Sequence, residues 1–328
     1  MKTEKEIVFT GAYKEAFEGY VAYKNSLGFF NDSEKRELLC LVELNEYLNE
    51  RHPDKVVLDE ETVKGYASRK DSVSHSTRHA YECRIRQFAL FLRNKGYSDI
   101  YVLPEKHAKV TTDFVPYIYS REEIIRIFAA TDQLENFPHN PHYKVFYQTI
   151  VRLLYCTGLR ISEALGLKVE DIDFESSLLI VHSGKGNVSR LIPFNEFIHG
   201  WLLKYHKEAW REGDTFFFES PQHGMRNRVG FGHTFSRVIL PMAGIERKPD
   251  NTGPRVHDLR HTFACHSLDQ MVRNGMDPFC ALPYLSTYMG HKGIESTEKY
   301  LRLTPDHFQE ICDAGHYIYE ESVGDGDE

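Results

Sequence analysis

Between Asp171 and Pro193 the hydrophobic period of this chain switches from helical to strand-like, and that switch limits the fold more than any other feature. Leu178-Leu-Ile-Val181 and Arg190-Leu-Ile-Pro193 flank Ser183-Gly184-Lys185-Gly186-Asn187, the pattern of a β-hairpin. A shorter apolar run, Phe216-Phe-Phe218, reads as one more buried strand. Nearly everywhere else apolar residues recur three and four apart, as on the buried face of a helix. The fold expected is therefore mainly α with a small antiparallel β-sheet.

Residues 1–113 read as helical throughout. One helix covers 13–27 and is closed by Gly28; a second, led by Ser33, runs through Leu38, Leu41, Leu44 and Leu48 to His52-Pro53. Asp59 opens a short third around Val63 and Tyr66. The fourth, 74–94, puts Tyr81, Ile85, Phe88, Ala89 and Leu92 on its core face, with Gly96 as its C-terminal cap. Four such helices make a small all-α helical bundle. The fourth also carries Arg78, Arg84, Arg86 and Arg93, which fit a solvated face and a contact to a DNA backbone equally well. Residues 97–118, with Pro104, Lys106, Lys109 and Pro116, have little periodicity and read as a linker. That divides the chain into domains 1–113 and 114–328.

The second domain opens on a capping box, Ser120-Arg-Glu-Glu123, ahead of Ile124, Ile127 and Phe128. A helix over 143–155 ends at Thr157-Gly158, and Leu159-Arg160-Ile-Ser-Glu163 starts the next. Arg160 with Glu163 three residues on is either a surface ion pair or a buried anion clamp. Its apolar neighbours place it beside a core, where arginines need partners. Lys185 projects from a glycine turn; solvation of the turn and close approach to another molecule both account for it. Helices follow around Trp201 and Tyr205 and over 235–242. Arg255-Val-His257-Asp258-Leu259-Arg260-His261 then begins an amphipathic helix, so His257 and Arg260 are close enough to reach one ligand together. Beyond it lie the apolar stretch Leu282 to Met289, Gly290-His291, Tyr300 and one more helix over 305–314.

The net charge of −8 argues at first against a nucleic-acid partner. Its location matters more than its size, and leaves room for a local basic surface. Residues 303–328 hold eight of the 48 acidic groups and no Lys or Arg, so the rest of the chain carries 40 charges of each sign. The six cysteines are scattered with no CxxC pair, which reads as reduced core residues and not a disulfide framework or zinc site. The first residues lack an apolar leader and no apolar run approaches a membrane span, so a cytoplasmic location without membrane contact is expected.

Arg160, Lys185, His257, Arg260, His291 and Tyr300 together are the residue types that phosphoryl transfer through a protein nucleophile requires. Arginine forks match phosphate oxygens and stay charged, histidines exchange protons near neutrality, and a phenol can form a phosphodiester. With Thr157-Gly-Leu-Arg160-Ile-Ser-Glu163, Gly184-Lys185-Gly-Asn, His257-Asp-Leu-Arg260-His-Thr-Phe-Ala264 and Gly290-His291 in this order, and Tyr300 nine residues past His291, the sequence resembles the tyrosine recombinases. These are the phage-type integrases and Xer-type site-specific recombinases. The likeness covers about 115–303 by motif.

The resemblance implies an α+β catalytic domain over 114–328 with an acidic tail, preceded over 1–113 by a SAM-like, all-α core-site DNA-binding domain. It implies that Tyr300 attacks the scissile phosphate to give a 3′-phosphotyrosyl link, and that Lys185 protonates the leaving 5′ oxygen. Arg160 and Arg260 would hold the phosphate, His257 would assist proton transfer, His291 would hydrogen-bond the phosphate and Glu163 would orient the set. No cofactor and no metal are expected. DNA contacts are expected from Arg78, Arg84, Arg86, Lys106 and Lys109. The partners implied are double-stranded DNA, a homotetramer on two recombination sites, and an accessory DNA-bending or directionality protein of a mobile element. A type IB topoisomerase-like nicking-closing enzyme and a catalytically silent DNA-binding regulator are the alternatives.

Overall fold

The computed structural model describes residues 8–28, 34–69, 75–105, 115–182, 189–246, 253–290 and 297. The chain divides into two compact units, Met1–Phe114 and Val115–Glu328.

In the first unit a 3-10 turn, Gly11–Tyr13, leads into α1 (Lys14–Ser26), followed by α2 (Glu34–Arg51), α3 (Glu60–Ser68) and α4 (His75–Asn94). The Asp59 carboxylate accepts the Thr62 N–H at 2.7 Å, satisfying a backbone donor that the first turn of α3 leaves unpaired. Ile85, Phe88, Ala89 and Leu92 of α4 are fully buried. Phe88 stacks on Phe17 of α1 at 4.1 Å and meets Tyr20 edge-on at 5.4 Å. Burying each such ring stabilises the bundle by roughly 2–3 kcal/mol.

The second unit is built on α6 (Tyr143–Thr157), whose Ile150, Val151, Leu153 and Leu154 lie at the centre of its core. It packs against α5 (Arg121–Asp132), α8 (Glu196–Glu208) and α11 (Val256–Arg273). The Ser120 box caps α5: the Ser120 hydroxyl accepts the Glu123 N–H and the Glu123 carboxylate accepts the Ser120 N–H. A single turn, α7 (Ile161–Leu165), follows α6. A second apolar cluster joins α11 to α12 (Pro278–Met289) through Leu268, Leu282 and Leu285.

The sheet has three antiparallel strands in the order β1 (Ile172–Asp173), β2 (Leu178–Val181), β3 (Arg190–Pro193). Leu179 pairs with Ile192 on the buried face, and Asp173 accepts the Glu175 and Ser176 N–H groups to turn β1 into β2. Two local expectations fail. Phe216-Phe-Phe218 is not a strand: Phe217 and Phe218 are both fully buried, whereas neighbours in a strand point to opposite faces. Turns flank the run, with the Phe217 N–H donated to Leu167 O at 2.7 Å. The helix expected from residue 235 begins earlier, as α9 (Arg228–Thr234), and continues through a π-helical stretch (Phe235–Ile239) into α10 (Leu240–Met242). Gly230 and Gly232 mask that start in the sequence, because glycine weakens a helical pattern.

Candidate active site

The site grows from the end of α6. Gly158 closes that helix in the left-handed region at φ 61°, where a side chain is strained, and its carbonyl turns toward α11. A Cβ at this position would collide with the Phe263 ring, so only glycine lets the loop approach α11 this closely. Arg260, in the second turn of α11 and 3% exposed, donates from Nη1 to Gly158 O at 2.7 Å and from Nη2 to Met289 O at 2.6 Å. One guanidinium thereby ties the end of α6 to the end of α12. It does so at carbonyls that the helix ends leave without an intrahelical partner.

Two residues past Gly158, Arg160 is the N-cap of α7, and Glu163 accepts its backbone N–H at 2.8 Å. The same carboxylate accepts Arg160 Nη1 at 2.7 Å. A further arginine, Arg190 at the start of β3, grips it with both prongs: Nη1 to Oε1 at 3.1 Å and Nη2 to Oε2 at 2.8 Å. Arg260 Nη1 lies 4.0 Å from Glu163 Oε2. Burial of Glu163 alone would push its carboxyl up, but the Arg190 hydrogen bonds and charge outweigh it, helped by Arg160. The group is held down at about 2 and stays ionised.

Arg190 also donates Nε to Tyr288 O at 3.1 Å, next to Gly290, which closes α12 in the left-handed region at φ 65°. Tyr288 stacks on Phe263, and burial pushes its phenol up to about 12, well above the ordinary value for a tyrosine. Its phenol is therefore less readily ionised than that of an exposed tyrosine. His257 is exposed on α11, its ring 4.7 Å from that of buried His261. At the hairpin, His182 Nε2 lies 2.7 Å from the buried Asp171 carboxylate.

Of the residues expected from sequence, Arg160, Glu163 and Arg260 are brought together, and His257 stands one turn before Arg260 on α11. Lys185, His291, Tyr300, Lys106 and Lys109 lie outside the described residues. In the first unit Arg84 faces inward: 11% exposed, it donates to both Glu37 oxygens at 3.3 and 3.4 Å and so joins α4 to α2. Arg86 donates Nε to Leu103 O at 3.0 Å and pairs with Glu105 at 3.5 Å, while Arg78 is half-buried on α4. Arg190 is the residue that sequence reasoning passed over. Its signal is the strand alternation, which puts an arginine on the same face as buried Ile192.

The sequence profile of the phage integrase family matches residues 121–307. A putative integrase/recombinase y4rB from Sinorhizobium fredii is 33% identical over 201 residues, 60% of this chain and 64% of that protein. The tyrosine recombinase XerC of Oceanobacillus iheyensis is 28% identical over 302 residues, 90% of this chain and 88% of its own length. The chain thus spans slightly less than two thirds of the first relative and most of the second. A crystal structure of a lambda integrase dimer bound to a core site matches with a TM-score of 0.62 at 15% identity, over 87% of this chain and 94% of that one. At that identity the likeness is one of fold. Among the described residues no helix is long and apolar enough to cross a membrane. The family match takes in more than half of the chain, including every residue of the arginine–glutamate cluster, and the chain belongs to the phage integrase family of tyrosine recombinases.

Proposed function

We propose that the protein is a site-specific DNA recombinase that cuts and rejoins strands through a tyrosine. The observation that carries this reading is the convergence of Arg160, Arg190 and Arg260 on one carboxylate, inside the stretch that matches the family. Guanidinium forks gathered in this way match the oxygens of a phosphate, and a scissile phosphate is the anion such a cluster would hold.

In this mechanism the Tyr300 hydroxyl oxygen attacks phosphorus, His257 receives its proton, and the bond from phosphorus to the 5′ oxygen breaks. Lys185 gives a proton to that departing oxygen, leaving a 5′-hydroxyl and a 3′-phosphotyrosyl link. The link keeps the energy of the broken bond, so a second strand's 5′-hydroxyl can reverse the step without ATP. Arg160 and Arg260 hold the non-bridging oxygens, with His291 hydrogen-bonding one of them. Each arginine is worth roughly 3–4 kcal/mol to the transition state, as for comparable preorganised donors. These guanidiniums supply the charge that a metal ion supplies in other phosphoryl-transfer sites. The helical first unit serves as a second DNA-binding module, with Arg78 as its candidate backbone contact, and exchange takes place in a tetramer on two duplexes.

The test is covalent capture. Nicked duplexes from the flanks of the gene are mixed with wild type and with Tyr300→Phe, in chelator, and run on a denaturing gel. An adduct from wild type alone is the result expected. An adduct that survives the substitution moves the nucleophile elsewhere, and no adduct on DNA that the protein binds overturns the reading.

A further inference from the structure

Arg190 has no part in the chemistry just described, yet it holds Glu163 with both prongs of its guanidinium. Its side chain is 11% exposed, so it is poorly placed to touch a duplex itself. Instead it spends both Nη groups on Glu163 and its Nε on Tyr288 O. Resting on the recombinase reading, we propose that Arg190 is a positioning residue for strand cleavage. It neutralises Glu163 so that the charge of Arg160 is available to the phosphate, and it fixes the hairpin strand β3 to the end of α12.

The electrostatic part follows from counting charges. Glu163 lies 2.7 Å from Arg160 and 4.0 Å from Arg260. Without Arg190, one carboxylate would face two guanidiniums and cancel half of their charge at the place where the phosphate is to be held. With Arg190, the four side chains Arg160, Arg190, Arg260 and Glu163 carry three positive charges and one negative. The pentacoordinate phosphorus of the transition state carries two negative charges, one more than the ground-state diester, so this positive charge favours the transition state over the bound substrate. A bidentate fork suits this work because it saturates the carboxylate in one fixed geometry.

The geometric part follows from what the fork joins. Arg190 stands five residues after Lys185, and Tyr288 three residues before His291. The bond from Arg190 Nε to Tyr288 O therefore links the segment that carries the general acid to the segment that leads into the phosphate-binding histidine. Gly290 leaves room for it: a Cβ there would press on the Arg190 guanidinium at 3.2 Å.

The experiment compares single-turnover adduct formation and DNA affinity for wild type, Arg190→Met, Arg190→Lys, Glu163→Gln and the Glu163→Gln/Arg190→Met pair. Arg190→Met is expected to slow adduct formation by about 30- to 100-fold, with DNA affinity changed by less than about threefold, since the loss falls on the transition state. Arg190→Lys restores the charge but not the fork, so it recovers part of the rate. In the Glu163→Gln background, losing Arg190 costs less than about fivefold more, because no carboxylate remains to be neutralised. Cleavage by Arg190→Met at the wild-type rate overturns the role, and so does a full additional loss in the Glu163→Gln background. If Arg190→Met does not fold, Arg190→Lys decides: a folded variant with the wild-type rate overturns the role, and one slowed by about tenfold at unchanged affinity supports it. A wild type that gives no adduct on bound DNA overturns the recombinase reading itself, and the role of Arg190 with it.

Discussion

Arg152 and Arg260 are both almost wholly buried arginines on helices of the same core, and they are buried on opposite terms. Arg152 on α6 has one carboxylate, Asp132, gripped at 2.9 and 2.8 Å, and its guanidinium lies over the rings of Phe128 and Trp201 at 4.7 and 4.2 Å. Charge is balanced one to one, and the aromatic faces take up the rest. Arg260 shares the carboxylate of Glu163 with Arg160 and Arg190, and it also donates to two main-chain carbonyls. A balanced pair is an element of packing. Three guanidiniums around one carboxylate suit the recombinase reading, in which they hold a phosphate.

Exchanging the two sites in a mutational test separates those roles. Arg260→Met should reduce strand cleavage by about 10²–10³-fold, the cost of deleting a preorganised donor to developing charge. Its cost in stability should be small, since removing one of three like charges offsets the lost hydrogen bonds. Arg152→Met should do the reverse. Asp132 is 45% exposed and can turn to water, so the stability lost is about 2 kcal/mol, below that of a fully buried pair, with cleavage by the folded protein unchanged. Urea unfolding and adduct formation on both variants measure the contrast. Equal losses of activity in the two would end the distinction.

Acid provides the second test. Glu163 and Asp258 are both the third residue of a capping box, one in α7 and one in α11, each accepting the backbone N–H of its N-cap arginine at 2.8 Å. Behind Glu163 stands the Arg190 fork, and its carboxyl is held at about 2. Asp258 has the half-exposed Arg255 at 3.6 Å, and burial outweighs that charge and the backbone hydrogen bonds from Arg255 and Tyr117, so its carboxyl is pushed up. The signs are opposite. Glu163 has a folded value below its ordinary 4.5, so its contribution is present above that pH and is lost as pH falls towards 2, roughly 3 kcal/mol in all. Asp258, raised above its ordinary 3.8, costs stability when ionised and regains it on protonation. Unfolding free energies measured from pH 6 down to pH 2.5 should fall less steeply in Glu163→Gln than in wild type. Parallel curves would mean that Glu163 is not the group losing its charge.

The sequence disclosed what local chemistry writes into short motifs. Helical period, the Ser120 and Asp59 caps and the Gly158 stop were legible because each depends on residues within one turn. So were Arg160 and Glu163, which share the first turn of α7. What stayed hidden depends on distance along the chain. Arg190 meets Glu163 across 27 residues, and no local pattern names its partner. Arg84 looked like a solvent-facing arginine in a basic run, and only the packing of α2 on α4 turns it toward Glu37. The aromatic triplet at 216–218 failed for a similar reason, because two adjacent buried rings demand a turn that hydrophobicity alone does not reveal.

The smallest effect expected is also the sharpest control on the cluster's geometry. Gly158 and Gly275 both follow helices with positive φ, 61° and 87°. A Cβ at Gly275 would meet nothing within 4 Å, whereas at Gly158 it would run into Phe263. Gly275→Ala therefore isolates backbone strain, costing about 1 kcal/mol, and Gly158→Ala adds the displacement of a buried ring, for about 2 kcal/mol. Chemical denaturation reads both. Only Gly158 presents the carbonyl that accepts Arg260 Nη1, so only Gly158→Ala should also slow adduct formation, by about tenfold if the guanidinium shifts by a few tenths of an ångström. Were Gly275→Ala to slow cleavage as much, general loosening of α11 would explain both variants, and the close approach of Gly158 would have no special part in holding Arg260.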